Sequence, residues 1–106
     1  MPIYLYNTLS GKKEEFKPIK KGAVGIYNCG PTVYDSVHIG NLRTFVLYDV
    51  IRRVFEYEKY HVTQVMNITD VDDKTIRRSK EEKIPLGQFT RKYETLFLSD
   101  IHSMNI

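Results

Sequence analysis

The sequence has only one cysteine, Cys29, among its 106 residues. A single cysteine excludes an internal disulfide, and we therefore expect a protein of a reducing compartment. The chain also lacks a Cys-x-x-Cys pair and has only three histidines. Because a structural zinc ion normally takes four ligands, a complete zinc site within these residues is not predicted.

Long apolar runs and sorting signals are missing as well. No apolar run approaches the roughly 20 residues that a membrane-spanning helix needs. The first residues, Met-Pro-Ile-Tyr-Leu-Tyr, contain neither a basic region nor a small-residue cleavage site, so we expect no signal peptide. These absences predict a cytoplasmic protein that does not contact a membrane.

Neither sign of charge dominates the chain. Lys and Arg total 16 and Asp and Glu total 13, which gives a net charge of +3. This excess favours anionic partners only weakly and does not by itself predict nucleic-acid binding. With 42% hydrophobic and 27% charged residues, the composition is that of a globular protein, and the length predicts one domain or a piece of one.

The spacing of apolar and β-branched residues predicts the strands and the first helix. Residues 3–9 and 15–19 fit a short hairpin in which Pro18 restricts the second strand to an edge. Residues 24–29 and 61–66 fit two core strands, and residues 42–58 fit a helix between them. The predicted buried face of this helix is Leu42, Phe45, Val46, Val50, Ile51, Val54 and Phe55. The charged residues of the helix lie mostly on its other side, namely Asp49, Arg52, Arg53, Glu56 and Lys59.

Two further helices are predicted after a polar loop at residues 67–73. The first covers residues 72–82, with acidic residues in its first turn and basic residues later, as the helix dipole favours. Residues 84–87, Ile-Pro-Leu-Gly, interrupt the pattern. The last helix has one apolar stripe, formed by Phe89, Tyr93, Leu96, Phe97, Ile101 and Met104.

The order strand, helix, strand predicts an α/β fold built on a right-handed βαβ unit with parallel strands. We divide residues 1–106 into an N-terminal hairpin at 1–20, the βαβ unit at 24–66, and a loop with two helices at 67–106. In such folds, ligands bind where the chain leaves the carboxyl end of a strand.

The tetrapeptide His38-Ile39-Gly40-Asn41 lies between the first core strand and the helix. A glycine there lets a ligand approach the backbone, and the N–H groups of a first helical turn attract phosphate. An imidazole can donate to a phosphoryl oxygen, and Asn41 can cap the helix. Alone, a histidine followed by a capping asparagine is more often structural.

The other candidate groups leave alternatives open. Cys29, at the end of the strand, is a metal ligand, a nucleophile with His38 as base, or a buried small apolar residue. For Asp70, Asp72 and Asp73, capping of the turn and helix is favoured over a divalent cation site. A solvated basic face is likewise favoured over phosphate contacts for Lys74, Arg77, Arg78 and Lys80.

Three segments together point to a known family. They read Tyr-Asn-Cys-Gly-Pro-Thr-Val-Tyr-Asp at 27–35, His-Ile-Gly-Asn at 38–41 with Arg-Thr-Phe at 43–45, and Asn-Ile-Thr-Asp-Val-Asp-Asp-Lys at 67–74. In this order they closely resemble the amino-terminal part of the cysteinyl-tRNA synthetases, and the resemblance extends over essentially the whole chain. It implies the Rossmann-type catalytic domain of a class I aminoacyl-tRNA synthetase, of which these residues form an incomplete portion.

The resemblance implies an activity and the groups that serve it. Members of this family activate cysteine with ATP and Mg²⁺, then transfer it to tRNA(Cys). By resemblance, Cys29 is one of four ligands of a zinc ion that binds the substrate thiolate. A soft thiolate–zinc contact separates cysteine from serine better than a pocket of similar size.

The same resemblance implies the remaining site residues. Gly30 and Thr32 line the amino-acid pocket, and Thr69 reaches the polar end of the substrate. His38, Gly40 and Asn41 bind ATP, with His38 and Asn41 in the catalytic role. The family usually has a second histidine where this chain has Asn41, which keeps a donor but not a charge.

The remaining zinc ligands, the phosphate-binding Lys-Met-Ser-Lys-Ser loop and the anticodon-binding helices of this family lie beyond position 106. We therefore expect a fragment that is inactive alone. Two alternatives are a non-catalytic nucleotide- or metal-binding module and a related ligase that joins cysteine to an amino sugar.

Overall fold

The computed structural model describes residues 1–106. Four strands and three helices follow one another along the chain: β1 Tyr4–Asn7, β2 Lys12–Glu15, β3 Ala23–Asn28, α1 Ile39–Tyr57, β4 His61–Met66, α2 Asp73–Glu81 and α3 Leu86–Ser103. The predicted α/β class, with an N-terminal hairpin and a βαβ core, is confirmed. None of the three helices combines the length and the apolar character that crossing a membrane requires.

The N-terminal hairpin pairs β1 with β2 antiparallel, from Tyr4 opposite Glu15 to Asn7 opposite Lys12. The predicted second strand at 15–19 is wrong, because the turn closes earlier. Gly11 has a φ of 68°, a conformation that glycine adopts without steric cost, and its N–H donates to the Asn7 carbonyl at 2.8 Å. Phe16 then anchors the hairpin, with its ring 4.9 Å from that of Phe55 in α1.

The central unit pairs β3 with β4 in parallel, with Ala23 opposite His61 and Asn28 opposite Met66. Residues on the two strands alternate between a face covered by α1 and an open face. On the open face, Tyr27 and Val65 are paired and remain 70% and 54% exposed.

Helix α1 departs from the prediction at its start and on its buried face. It begins at Ile39 rather than 42, and its N-cap is His38, so the prediction that Asn41 caps the helix is wrong. Phe45 and Phe55 are buried as predicted. Three residues of the predicted buried face are instead 39–48% exposed, namely Val46, Val50 and Val54.

Helices α2 and α3 form a second layer against the loop that follows β3. The cap of α2 is a reciprocal box in which Asp72 accepts from the Lys74 N–H and Thr75 bonds back to Asp72. In the predicted α3 stripe, Phe89, Tyr93 and Phe97 are buried. Two members, Leu96 and Met104, are exposed instead.

Candidate functional site

A cleft of about 340 Å³ opens where the chain leaves β3. Its wall is formed by the loop after that strand, the first turns of α1 and the start of α2. The lining residues are Cys29, Gly30, Pro31, Thr32, Tyr34, Asp35, Ser36, Val37, Asn41, Thr44, Phe45, Tyr48 and Lys74. Four of the residues predicted from the sequence therefore share this cleft: Cys29, Gly30, Thr32 and Asn41.

The loops after the two core strands run side by side and fix the cleft wall. Thr32 and Thr69 form a parallel bridge, in which the Val33 N–H donates to the Thr69 carbonyl at 3.1 Å and the Thr69 N–H to the Pro31 carbonyl at 2.9 Å. Thr69, predicted to contact the substrate, thus lies in the framework next to the cleft and not among its lining residues.

Gly30 is held against the second of these loops. Its N–H donates to the Asn67 side-chain oxygen at 2.8 Å. A β-carbon at this position would overlap the Asn67 carbonyl oxygen and lie 2.8 Å from the carbonyl carbon. The close approach of two backbones therefore requires glycine here, whatever the ligand.

The thiol of Cys29 is exposed at the cleft, so its interpretation as a buried apolar residue is wrong. Its hydrogen-bond partner within the chain is the Gly30 carbonyl, 3.8 Å from the sulfur. No group of three or more His, Cys, Asp or Glu side chains is arranged to hold a metal ion. These residues by themselves therefore do not fit a zinc ion, because they do not assemble even three of the four ligands that it normally takes.

The imidazole of His38 caps α1 from outside the cleft. Its Nδ1 accepts a hydrogen bond from the Gly40 N–H at 3.0 Å, and its carbonyl accepts from the Asn41 N–H at 2.9 Å. An accepting Nδ1 leaves the proton of the neutral ring on Nε2, which is free to donate to a ligand. No hydrogen bond joins His38 to Cys29, so the chain does not form a thiol–imidazole pair.

The sequence did not reveal all of the cleft residues, and Lys74 is the clearest case. Its ammonium lies 5.3 Å from the centre of the Tyr34 ring, and the side chain lines the cleft. Lys74 is exposed, as the predicted solvated basic face requires, and it lines the cleft as well. Arg78, of the same predicted face, lies 3.7 Å from the Asp35 carboxylate on the cleft wall. Lys74 is the last residue of the third recognised segment, and Arg78 lies one helical turn beyond it, which is the signal in the sequence that could have indicated them.

Of the three aspartates that follow β4, Asp72 has the capping role that was favoured. It accepts from the Lys74 N–H at 2.9 Å. With no cluster of three ligands in the chain, the alternative of a cation site formed by Asp70, Asp72 and Asp73 finds no support in the structure.

A buried carboxylate lies behind the cleft on α1. Asp49 is 8% exposed and accepts from Arg52 and Arg53 at 2.6 Å each, so its predicted place on the solvent side is wrong. Burial raises the pKa of Asp49, but the hydrogen bonds and charges of the two arginines outweigh burial and hold it below the usual value of 3.8. Arg53 also donates to the Asn105 carbonyl at 2.9 Å, which joins α1 to the end of α3.

Comparison with known proteins gives a consistent family assignment. The family described as "tRNA synthetases class I (C) catalytic domain" matches residues 15–106. A cysteine–tRNA ligase of Brachyspira hyodysenteriae is 52% identical over 104 residues, and one of Methanosarcina mazei is 53% identical over 104 residues. A cysteine–tRNA ligase of Pyrococcus horikoshii is 48% identical over 106 residues.

The coverage of these matches is strongly unequal. The alignments take in 98–100% of this chain but only 22% of each of the three relatives. The chain thus spans about a fifth of the length of the curated relatives it matches.

Proposed function

The chain belongs to the family of class I tRNA synthetase catalytic domains, and on this basis we propose that it forms part of the site at which a cysteine–tRNA ligase activates its amino acid. The observation that best supports this proposal combines two findings. The family model matches residues 15–106, and the exposed thiol of Cys29 lines the cleft beyond the end of β3. A cytoplasmic location, and the division into segments 1–20, 24–66 and 67–106, are parts of the same proposal.

The proposed chemistry has two steps. The carboxylate of cysteine attacks the α-phosphorus of ATP, forming a carboxyl–phosphate bond while the bond to pyrophosphate breaks. A hydroxyl of tRNA(Cys) then attacks the carbonyl carbon of this adenylate, and AMP leaves. The rates of both steps depend on how the reacting groups are positioned and on how the negative charge that develops on oxygen is stabilised. Side chains that donate hydrogen bonds to phosphate are therefore the expected contributors to catalysis.

The ATP part of the proposal involves His38, Gly40 and Asn41. The free Nε2–H of His38 is suited to donate to a phosphoryl oxygen, and the backbone N–H groups at the start of α1 add positive potential there. Asn41 extends from this turn into the cleft and so links the nucleotide side to the amino-acid side. ATP is expected to bind with Mg²⁺.

The amino-acid part involves Cys29, Gly30, Thr32 and, from the adjoining framework, Thr69. We propose Cys29 as one ligand of a zinc ion that recognises the substrate thiol. Since these 106 residues assemble no group of three or more potential ligands, we propose that the other ligands come from the rest of the ligase. The three relatives described above are all named tRNA ligases, which favours tRNA over an amino sugar as the acceptor.

The experiment replaces the matching segment of the Brachyspira hyodysenteriae ligase with these 106 residues. We expect this chimera to incorporate labelled pyrophosphate into ATP in the presence of cysteine, and the 106 residues alone to show no such exchange. A chimera that folds, as shown by a cooperative thermal transition, but lacks exchange would contradict the proposal and favour a non-catalytic module.

A further inference from the structure

Of the two charged side chains that line the cleft, one has an ion-pair partner and the other has none. Lys74 is the one cationic residue among the 13 that line the cleft, and Asp35 is the one carboxylate. The Asp35 carboxylate lies 3.7 Å from Arg78 and also accepts from the Ser36 N–H at 2.7 Å. No carboxylate of the chain lies within ion-pair distance of the Lys74 ammonium.

The exposed Lys74 side chain has one contact that directs its ammonium. Its ammonium lies 5.3 Å from the centre of the Tyr34 ring, within the range of a cation–π contact. Tyr34 is itself partly buried against the core cluster of Val33, Phe89 and Tyr93. Tyr34 therefore holds the charge over the cleft without neutralising it, which is the arrangement that an anion receptor needs.

The other polar groups of the cleft also favour an anion at this position. Uncharged donors also line the same cleft, namely Thr32, Ser36, Asn41 and Thr44. The volume of about 340 Å³ lies at the small end of ligand pockets, so the cleft fits an amino acid and the phosphate beside it better than a whole nucleotide.

We propose that Lys74 binds an oxyanion of the substrate in this cleft, either the amino-acid carboxylate or the α-phosphate that it attacks. This inference rests on the proposed function, because that reaction brings both anions to one place. Lys74 thereby acts as a substrate-binding residue in addition to His38 and Cys29. Its charge offsets repulsion between the carboxylate and the phosphate.

The test uses the chimera and compares Lys74→Met with Lys74→Arg. The matched control is Lys80→Met, because Lys80 is an exposed lysine of the same helix that does not line the cleft. Loss of a hydrogen bond between charged groups reduces affinity by roughly 10- to 100-fold. We therefore expect Lys74→Met to raise one KM of pyrophosphate exchange by about that factor, Lys74→Arg to recover most of it, and Lys80→Met to match the unmodified chimera.

The two substrates are titrated separately. A rise in the KM for cysteine assigns Lys74 to the carboxylate, and a rise in the KM for ATP assigns it to the phosphate. Kinetics of Lys74→Met that match those of Lys80→Met would overturn the inference. An unmodified chimera that folds without exchange would instead refute the proposed function, so the two failures are distinguishable.

The cation–π contact between Tyr34 and Lys74 can be tested independently with variants of Tyr34 in the same chimera. Tyr34→Phe keeps an aromatic face under the ammonium, whereas Tyr34→Leu removes it. We expect the KM affected by Lys74→Met to rise in Tyr34→Leu but not in Tyr34→Phe. A rise in Tyr34→Leu that persists when Lys74 is already Met would show that Tyr34 acts independently of Lys74, and would count against the inference.

Discussion

Replacement of Gly30 by alanine tests how the cleft wall is built. A β-carbon at this position would overlap the Asn67 carbonyl oxygen and lie 2.9 Å from the Met66 Cγ. Met66 has a flexible side chain, but the Asn67 carbonyl belongs to the backbone that continues into the Thr32–Thr69 bridge. The clash can therefore be relieved only by separating the two loops.

The expected cost is at the upper end of the range for overpacking, about 3 kcal/mol of unfolding free energy. A domain of this size is stabilised by roughly 5–15 kcal/mol, so the loss is a large fraction of the total. With an m value of about 2 kcal/mol per M urea, the unfolding midpoint should fall by about 1.5 M.

The assay is urea unfolding followed by far-UV circular dichroism, with Gly25→Ala as the matched control. Gly25 lies in β3, and a β-carbon there meets nothing within 4 Å. Its replacement should leave the midpoint unchanged or raise it slightly. Equal midpoints for Gly30→Ala and Gly25→Ala would refute the close approach of the two loops.

Three further predictions concern Asp49, His38 and the metal. The pKa of Asp49 is lowered in the folded state, so its contribution to stability is complete at neutral pH and is lost as the pH falls below about 4. Asp49→Asn should therefore cost about 1–2 kcal/mol at pH 7 and less at pH 3, measured by urea unfolding; an equal cost at both pH values would contradict this assignment. His38→Ala should lower stability by about 1 kcal/mol through loss of the cap, whereas His38→Asn keeps a cap; both should reduce exchange by the chimera, and full activity in His38→Asn would exclude a role for the imidazole. Zinc measured by atomic absorption should be well below one ion per chain in the isolated 106 residues, and a stoichiometric ion would show that Cys29 has ligands within this chain.

Much of the fold could be predicted because it depends on local periodicity. The alternation of residues 61–66 gave β4 with its observed bounds, and the acidic start and basic end of residues 72–82 gave α2 within a residue at each end. The start of α1 could not be predicted in this way. Histidine is not among the preferred N-cap residues, so residue preferences predict Asn41 as the cap, whereas the structure has His38 in that position.

The errors on α1 have a different physical origin. Apolar spacing alone predicts that Val46, Val50 and Val54 are buried and that Asp49 is exposed. In the structure, Asp49 is buried because two arginines of its own helix satisfy its oxygens, and one of them, Arg53, also reaches the Asn105 carbonyl. Such pairing is not visible in a hydrophobic pattern.

Only some of the residues that line the cleft could be predicted from the sequence. Cys29, Gly30, Thr32 and Asn41 come from segments that the resemblance singles out, and the structure brings them together. Lys74 is the last residue of the third of these segments, and it reaches the cleft because the Thr32–Thr69 bridge places α2 beside the loop after β3. That contact spans distant parts of the chain, so no local pattern predicts it.

We propose that this chain forms part of a site that activates cysteine and recognises its thiol through Cys29. The most direct measurement is the rate of pyrophosphate exchange by the chimera with cysteine and with serine, before and after Cys29→Ser. We expect exchange with cysteine far above that with serine, and loss of most of this preference in Cys29→Ser. An unchanged preference for cysteine in Cys29→Ser would contradict the claim.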